Sequence, residues 1–460
     1  MTQDLGQRVA GPVLHPGDDG YEAELAGFDL SVRHHPAVVV GATSAADVLA
    51  AVRDAVRAGL AVGVQATGHG ITVAAGDGTL LITTRRLDGV RVDPAARTAW
   101  VEAGATWDHV LRQTAPHGLA PLVGSAPAVG AVSYTLGGGL GELGRRWGFA
   151  ADHVRRLDVV TADGVARRVT ADEHPDLFRA LRGGGGNVGV VTGMEIGLVP
   201  LREVYGGGLF FAGEDAPAVL AALVATGDGA PDEVSLSAAL MTFPDVPAVP
   251  AAVRGRWCAH VRVCSSGEPA RCEEVIAPVR AAATPLLDSV ATLPVTAIGT
   301  IHNDPVTPLA TNSRSLALRR VDGDVLATIL RHAGPRAPFL VELRLMGGAL
   351  ARPPAVPDAV GHRDAAATVY TTAHPHPTGP SVSDTAAEQA LLDDLAAWSD
   401  GGALVNFLAG AHVSVADVRA AYDRDTWDRL VAIKNAWDPG NVFRINHNVP
   451  PTDHSGSTPR

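Results

Sequence analysis

A single histidine stands between two glycines at Gly68-His69-Gly70, at the end of the run Leu60-Ala-Val-Gly-Val-Gln-Ala-Thr. Imidazole is both a nucleophile and a proton acceptor near neutral pH. Its glycine neighbours let the backbone turn tightly and approach something bulky. On its own such a turn is unremarkable chemistry. A second stretch, Val123–Gly141, has six glycines and one tyrosine in 19 residues and carries no charge. Loops of that kind display backbone N–H groups, which is what a pyrophosphate needs. No Walker lysine is present. Gly139, Gly141 and Gly144 have the Gly-x-Gly-x-x-Gly spacing, but without a βαβ setting or the acidic residue about 20 positions on, so the Rossmann fingerprint is rejected.

Other groups could move protons. Tyr134 sits inside the glycine-rich stretch. Glu342 and Arg344 are two apart on an expected strand, so they share one face, either of a substrate pocket or of a structural ion pair. His302, His362, His374 and His376 fall in the region 201–399, and Asn446 and Asn448 share a face in the tail. The 17 histidines show no ligand spacing on one element, so no metal site is expected.

The elements that must position these groups are legible as patterns. Pro36–Gly41 reads as a strand. Residues 44–59 read as a helix opened by Ser44 and closed by Gly59. Leu60–Gln65 is the next strand, completing a β-α-β unit that delivers His69. Short strands follow at 79–84, 89–93 and 98–104, then a helix from Trp107 to Ala115. Strands at 154–161 and 165–170 form a hairpin around Asp163-Gly164. A helix at 176–182 precedes a strand at 187–198. After Pro200 the glycine clusters thin out, and 201–399 reads as a second domain.

Length and composition narrow the function classes. A chain of 460 residues is long enough for two or three domains. With 46% apolar and 19% charged residues it has ample material for a core. A net charge of −12 without a basic block disfavours nucleic acid and anionic membranes as partners. Three cysteines without metal-type spacing support neither a disulfide framework nor zinc. The first residues lack a basic or apolar leader pattern, and no run of about 18 apolar residues occurs, so a cytoplasmic location is expected.

Taken in order, Gly68-His69, Gly124-Ser-Ala-Pro-Ala-Val-Gly with Leu-Gly-Gly-Gly-Leu-Gly after it, and Asp176-Leu-Phe-Arg-Ala-Leu-Arg-Gly-Gly-Gly-Gly-Asn-Val-Gly-Val-Val-Thr resemble the vanillyl-alcohol-oxidase-type FAD-binding fold. Within it they resemble the berberine-bridge-enzyme-like oxidases. The tail Lys434-Asn-Ala-Trp-Asp-Pro-Gly-Asn-Val-Phe-Arg-Ile-Asn-His-Asn-Val-Pro-Pro resembles that family's C-terminal motif. The resemblance implies an α+β architecture. An FAD-binding domain is split between 1–200 and 400–451, an antiparallel-sheet substrate domain with helices is inserted at 201–399, and 452–460 form a disordered tail. It implies one FAD on a single covalent bond from His69 to the 8α-methyl, made by a neutral imidazole nitrogen. The implied cofactor contacts are Ala66, Thr67, Gly68, His69, Gly70, Gly124, Ser125, Ala126, Gly130, Ser133, Gly137, Gly141, Gly189, Val191, Asn446 and Asn448.

The departures are equally informative. Ala126 stands where many relatives have a second flavin-linking cysteine. Gln65-Ala-Thr replaces an Arg-Gly-Gly run before Gly68-His69, and Tyr134 replaces a histidine. Leu140 and Leu404 stand where sugar-oxidising relatives have tyrosines, which removes a two-tyrosine deprotonation. Tyr134, His374 and Glu342 are the candidate catalytic residues. The expected function is an FAD-dependent oxidase. It would take a hydride from a secondary-metabolite alcohol, amine or phenol, in natural-product or antibiotic tailoring, and pass electrons to O2. The alternatives are a flavin enzyme running a non-redox cyclisation or elimination, and a flavin-free binding protein. A homodimer stays open.

Overall fold

The computed structural model describes residues 5–310, 312–373 and 382–452. His374 and His376, and all but Thr452 of the expected disordered tail, lie outside the described residues.

The first sheet is built from β1 (Val13–Leu14), β2 (Val38–Gly41), β3 (Ala61–Gln65) and β4 (Thr79–Thr83), in the order β1-β2-β4-β3. Helix α1 (Ala45–Ala58) links β2 to β3. Its start is fixed by Ser44, whose hydroxyl accepts the Asp47 N–H, and its end by Gly59 in the left-handed conformation. β2 and β3 are parallel but not neighbours, because β4 lies between them and pairs with both. The β-α-β unit therefore has one strand inserted into it. All four residues of β2 and all five of β4 are buried, as expected of strands covered on both faces. α1 packs on this sheet through Val48, Ala51, Val52 and Ala55, with Phe443 from the far end of the chain in the same core.

A second, all-antiparallel sheet holds β5 (Val90–Asp93), β6 (Thr98–Glu102), β7 (Val154–Val160), β8 (Ala166–Val169) and β9 (Val190–Gly197), in the order β5-β6-β9-β7-β8. Between β6 and β7 run α2 (Trp107–Thr114) and the short α3 (Ala131–Leu136). The glycine-rich stretch thus contains a helix, because Ala131 and Val132 reach the core beside Trp107.

The third sheet has eight strands. Its long members are β10 (Glu203–Ala212), β11 (Val234–Thr242), β12 (Trp257–Ser265), β13 (Ser313–Leu318), β14 (Phe339–Leu345) and β15 (Ala367–Ala373). They lie in the order β10-β12-β11-β14-β15-β13, with Leu287–Asp288 at the β10 edge and Ala291–Pro294 also pairing with β10. Helices α4 (Ala216–Asp228), α5 (Pro269–Ala282), α6 (Gly323–His332) and α7 (Val382–Leu395) cover one face of this sheet. Side chains alternate as strand geometry requires. Val261, Val263, Val341, Leu343 and Val369 enter the helix-covered core, and His260, Arg262, Glu342, Arg344 and Tyr370 take the other face.

The chain then returns to the first two sheets. Val405, Val418, Tyr422, and Trp427 and Leu430 of α8 (Arg424–Trp437) pack in the core around α2 and β9. Val62 donates its N–H to the Val442 carbonyl, and Ile445 forms a bridge with Gly63. Lys434, fully buried, donates to Asp438 Oδ2 (2.7 Å) and to the carbonyls of Asn187 (2.7 Å) and Phe443 (3.0 Å).

Candidate active site

β3 ends at Gln65, and the chain turns at Gly68, where φ is +73°. A Cβ at Gly68 would stand 2.8 Å from the Gly27 Cα, so only glycine admits this close approach. The turn lays the His69 imidazole on Phe28, with ring centroids 3.9 Å apart and planes 12° from parallel. His69 Nδ1 lies 2.8 Å from Thr67 Oγ1, which also accepts the Gly130 N–H at 3.3 Å. Burial lowers the His69 pKa to about 4, against an opposing pull from the Asp304 charge, so the ring is neutral near pH 7.

His69 opens onto a cavity of about 390 Å3. Ala66, Thr67, Gly68, Gly70, Gly124, Ser125, Ala126, Ser133, Tyr134, Gly137, Gly189, Val191 and Asn446 share its wall. Three of the expected contacts are off it. Gly130 caps α3 and serves Thr67. Gly141 has no room for a Cβ, which would meet the Val123 carbonyl oxygen, so that glycine answers to backbone packing. Asn448 is also off the wall.

Tyr134 presents its ring to the cavity, edge-on to Trp107 at 5.6 Å, with its hydroxyl buried and unpartnered by protein atoms. Burial pushes its pKa far up, so it holds its proton near pH 7. A Cβ at Gly124, Gly139 or Gly141 would crowd this ring at 2.8, 2.5 and 3.0 Å. Much of the glycine content read as phosphate-facing therefore makes room for one tyrosine.

Glu342, expected as catalytic, is off the cavity wall. Arg344 donates to its Oε1 from Nε (3.1 Å) and Nη2 (2.9 Å), and Arg262 Nη1 approaches it at 3.3 Å. Burial alone would raise its pKa, but the two arginines outweigh that and hold it well below the usual carboxylate range. Its surroundings are those of a counter-ion to two arginines. Arg344 itself reaches the cavity and stands 3.9 Å from Glu142, whose Oε1 lies 2.9 Å from His302 Nε2. Burial opposes the charges of His302 and Arg344 at Glu142 and loses, leaving its pKa at about 2.

Three residues that pattern reading passed over complete the site. Asn406 clamps the glycine loop: its Oδ1 accepts the Gly139 N–H (2.8 Å) and its Nδ2 donates to the Tyr134 carbonyl (3.0 Å). His447 lines the cavity with its pKa lowered by burial. Its Nε2 lies 2.7 Å from the Leu408 carbonyl, an oxygen that can only accept, so Nε2 carries the proton and Nδ1 is left as an acceptor. His447 stands between the two asparagines already singled out, which was its available signal. Phe28 had none, lying in an irregular lead-in. Leu140 and Leu404, at the positions of the missing tyrosines, fall together in one apolar cluster with Phe149, Met346 and Leu350.

The cavity fits FAD by its own features. Among the described residues no backbone N–H of Ala66–Gly70 finds an acceptor in the protein, which leaves a nest of donors for an anion. A Cβ at Gly70 would meet nothing within 4 Å, and Asn446 Oδ1 is buried without a protein partner. Residues 36–170 match the family described as FAD binding domain, and residues 413–450 match the one described as berberine and berberine like. The chain thus carries an FAD-binding domain and, near its far end, a berberine-like segment. It is an FAD-dependent oxidoreductase. It is 28% identical to (R)-6-hydroxynicotine oxidase of Paenarthrobacter nicotinovorans, over 96% of this chain and 97% of that one. The crystal structure of 6-hydroxy-D-nicotine oxidase from Arthrobacter nicotinovorans superposes with a TM-score of 0.83 and 25% identity, covering 98% and 99% of the two chains. Xylooligosaccharide oxidase from Myceliophthora thermophila shares the fold at a TM-score of 0.85 and 21% identity, over 97% and 98%. These relatives are named as oxidases, which does not favour a non-redox reaction. Among the described residues, no helix is long and apolar enough to cross a membrane, and no cluster of His, Cys, Asp or Glu could hold a metal ion.

Proposed function

We propose that this enzyme carries its FAD on one covalent bond from His69 and oxidises a small molecule at a C–H beside nitrogen or oxygen, with O2 as electron acceptor. The observation that carries this reading is His69 itself, a neutral imidazole on the cavity wall beside unpaired backbone N–H groups. Bound FAD supplies the two-electron chemistry, and the protein supplies orientation and electrostatics. Ala66–Gly70 would hold it from the β3 end, with Gly124, Ser125, Ala126, Ser133, Gly137, Gly189, Val191 and Asn446 around it. Ala126 offers no thiol, so the linkage is single.

Leu140, Leu136 and Phe407 add apolar side chains to the cavity wall, and Arg344 adds a cation. That surface suits an aromatic amine or phenol of the secondary-metabolite kind better than a polyol. Tyr134 acts as the wall of that pocket, and Glu342 as a positioning residue that keeps Arg344 in place. The substrate's O–H or N–H proton goes to His447 Nδ1, the neutral acceptor fixed by Leu408.

Absorbance of the purified protein, before and after acid precipitation, tests the reading. A yellow protein whose colour stays in the pellet, and a His69→Ala variant whose colour moves to the supernatant, are the expected results. A colourless wild-type preparation would overturn it. Mixing the yellow enzyme anaerobically with candidate aromatic amines should bleach it, and readmitting air should restore the colour with hydrogen peroxide formed.

A further inference from the structure

Which nitrogen of His69 is free to react is set by a residue of this chain's own. The segment before the histidine reads Gln65-Ala-Thr-Gly, and its threonine hydroxyl lies 2.8 Å from His69 Nδ1. The same oxygen accepts the Gly130 N–H at 3.3 Å, so it is also held from the start of α3. Nδ1 is thereby occupied. Among the described residues Nε2 has no partner, and it is absent from the fully buried, unpartnered polar atoms, so it retains accessible surface where His69 lines the cavity.

We propose that Thr67 is the positioning residue for flavin attachment: by holding Nδ1 it directs bond formation to Nε2 and stabilises the imidazolium formed there. This rests on the reading of His69 as the anchor. For Nε2 to attack with its lone pair, the ring proton must be on Nδ1, and Thr67 Oγ1 is then its acceptor. The Nε2–C bond forms at the 8α-methyl carbon as that carbon gives up one proton, leaving two electrons on the flavin. The ring becomes a cation, held at Nδ1–H by Thr67 and over its face by the Phe28 ring at 3.9 Å. Loss of the Nδ1 proton restores a neutral ring. O2 takes the two electrons and two protons as hydrogen peroxide, closing the balance.

A hydroxyl is what this role needs. Valine has the shape of threonine without the oxygen, and serine keeps the oxygen without the methyl. The test begins with the wild-type protein: the flavin-bearing peptide is released by protease and the linked nitrogen is identified by NMR. Attachment through Nε2 is expected, and attachment through Nδ1 would overturn the inference. Thr67→Val should bind FAD yet retain at least tenfold less of it after acid precipitation, and Thr67→Ser should retain it as wild type does. Thr67→Val with wild-type retention would overturn the role of Thr67 while leaving His69 as anchor. A wild-type protein that releases all its flavin in acid would overturn both. Should Thr67→Val fail to fold, the linked nitrogen in the wild type still decides.

Discussion

At the residue scale, the site turns on imidazoles kept neutral by burial. The lowered pKa of His69 has two consequences. In the apoprotein the folded state binds fewer protons at this ring than the unfolded chain between pH 6.5 and about 4. Its contribution to stability is therefore fully present above pH 6.5 and is lost as pH falls toward 4. Attachment follows the same ring. FAD added to apoprotein should become acid-stable at a rate unchanged from pH 8 to about 5 and falling near 4, followed as flavin retained in the pellet over time. An ordinary histidine would slow the reaction already near 6.5. His447 makes a second prediction. His447→Gln should slow anaerobic flavin reduction by about 100-fold, and should remove the acid limb of its pH profile while leaving the flavin attached. Residue types and order were enough to read His69, because a lone imidazole between glycines is a local signal. They did not foresee the surroundings of Glu342 and Tyr134, since neither a partner arginine across strands nor a buried phenol leaves a periodic trace.

At the element scale, local rules sufficed where elements are local. The cap residues Ser44 and Gly59 marked α1, and the alternation in β14 put Glu342 and Arg344 on one face. They failed where an element is shaped by distant chain. Val123–Gly141 reads as loop, yet it folds into α3 and a turn because Asn406, 267 positions from Gly139, closes it. The replacement of that clamp is a direct test. Asn406→Ala leaves the Gly139 N–H and the Tyr134 carbonyl without their side-chain partner. It should lower stability by about 1–3 kcal/mol, measured by urea unfolding of the apoprotein. The same variant should bind FAD more weakly, because Gly137 and Tyr134 share the cavity wall.

At the scale of the whole molecule, one cavity is walled by segments far apart in the chain: 64–73, 124–140, 185–191, Arg344, and the returning tail with Asn406 and Asn446. Lys434 ties that tail down, and every contact it makes is buried. Lys434→Met leaves Asp438 as an unpaired buried carboxylate. It should destabilise the protein by about 3–5 kcal/mol, read as a lowered thermal midpoint. The thinning of the glycine clusters after Pro200 marks where the third sheet begins, whereas the return of the tail to the first two sheets was implied only by the family resemblance. The tail's grip on the first sheet, through Ile445 at Gly63 and Val442 at Val62, was not, because a single bridge has no sequence period. That grip also sets a schedule. Asn406 and Asn446 follow the 64–73, 124–140 and 185–191 wall segments and Arg344 in the chain, so the cofactor pocket is unfinished until they too have been synthesised. Flavin loading thus waits for this late segment, and a chain cut before Asn446 should emerge without the means to take up its colour.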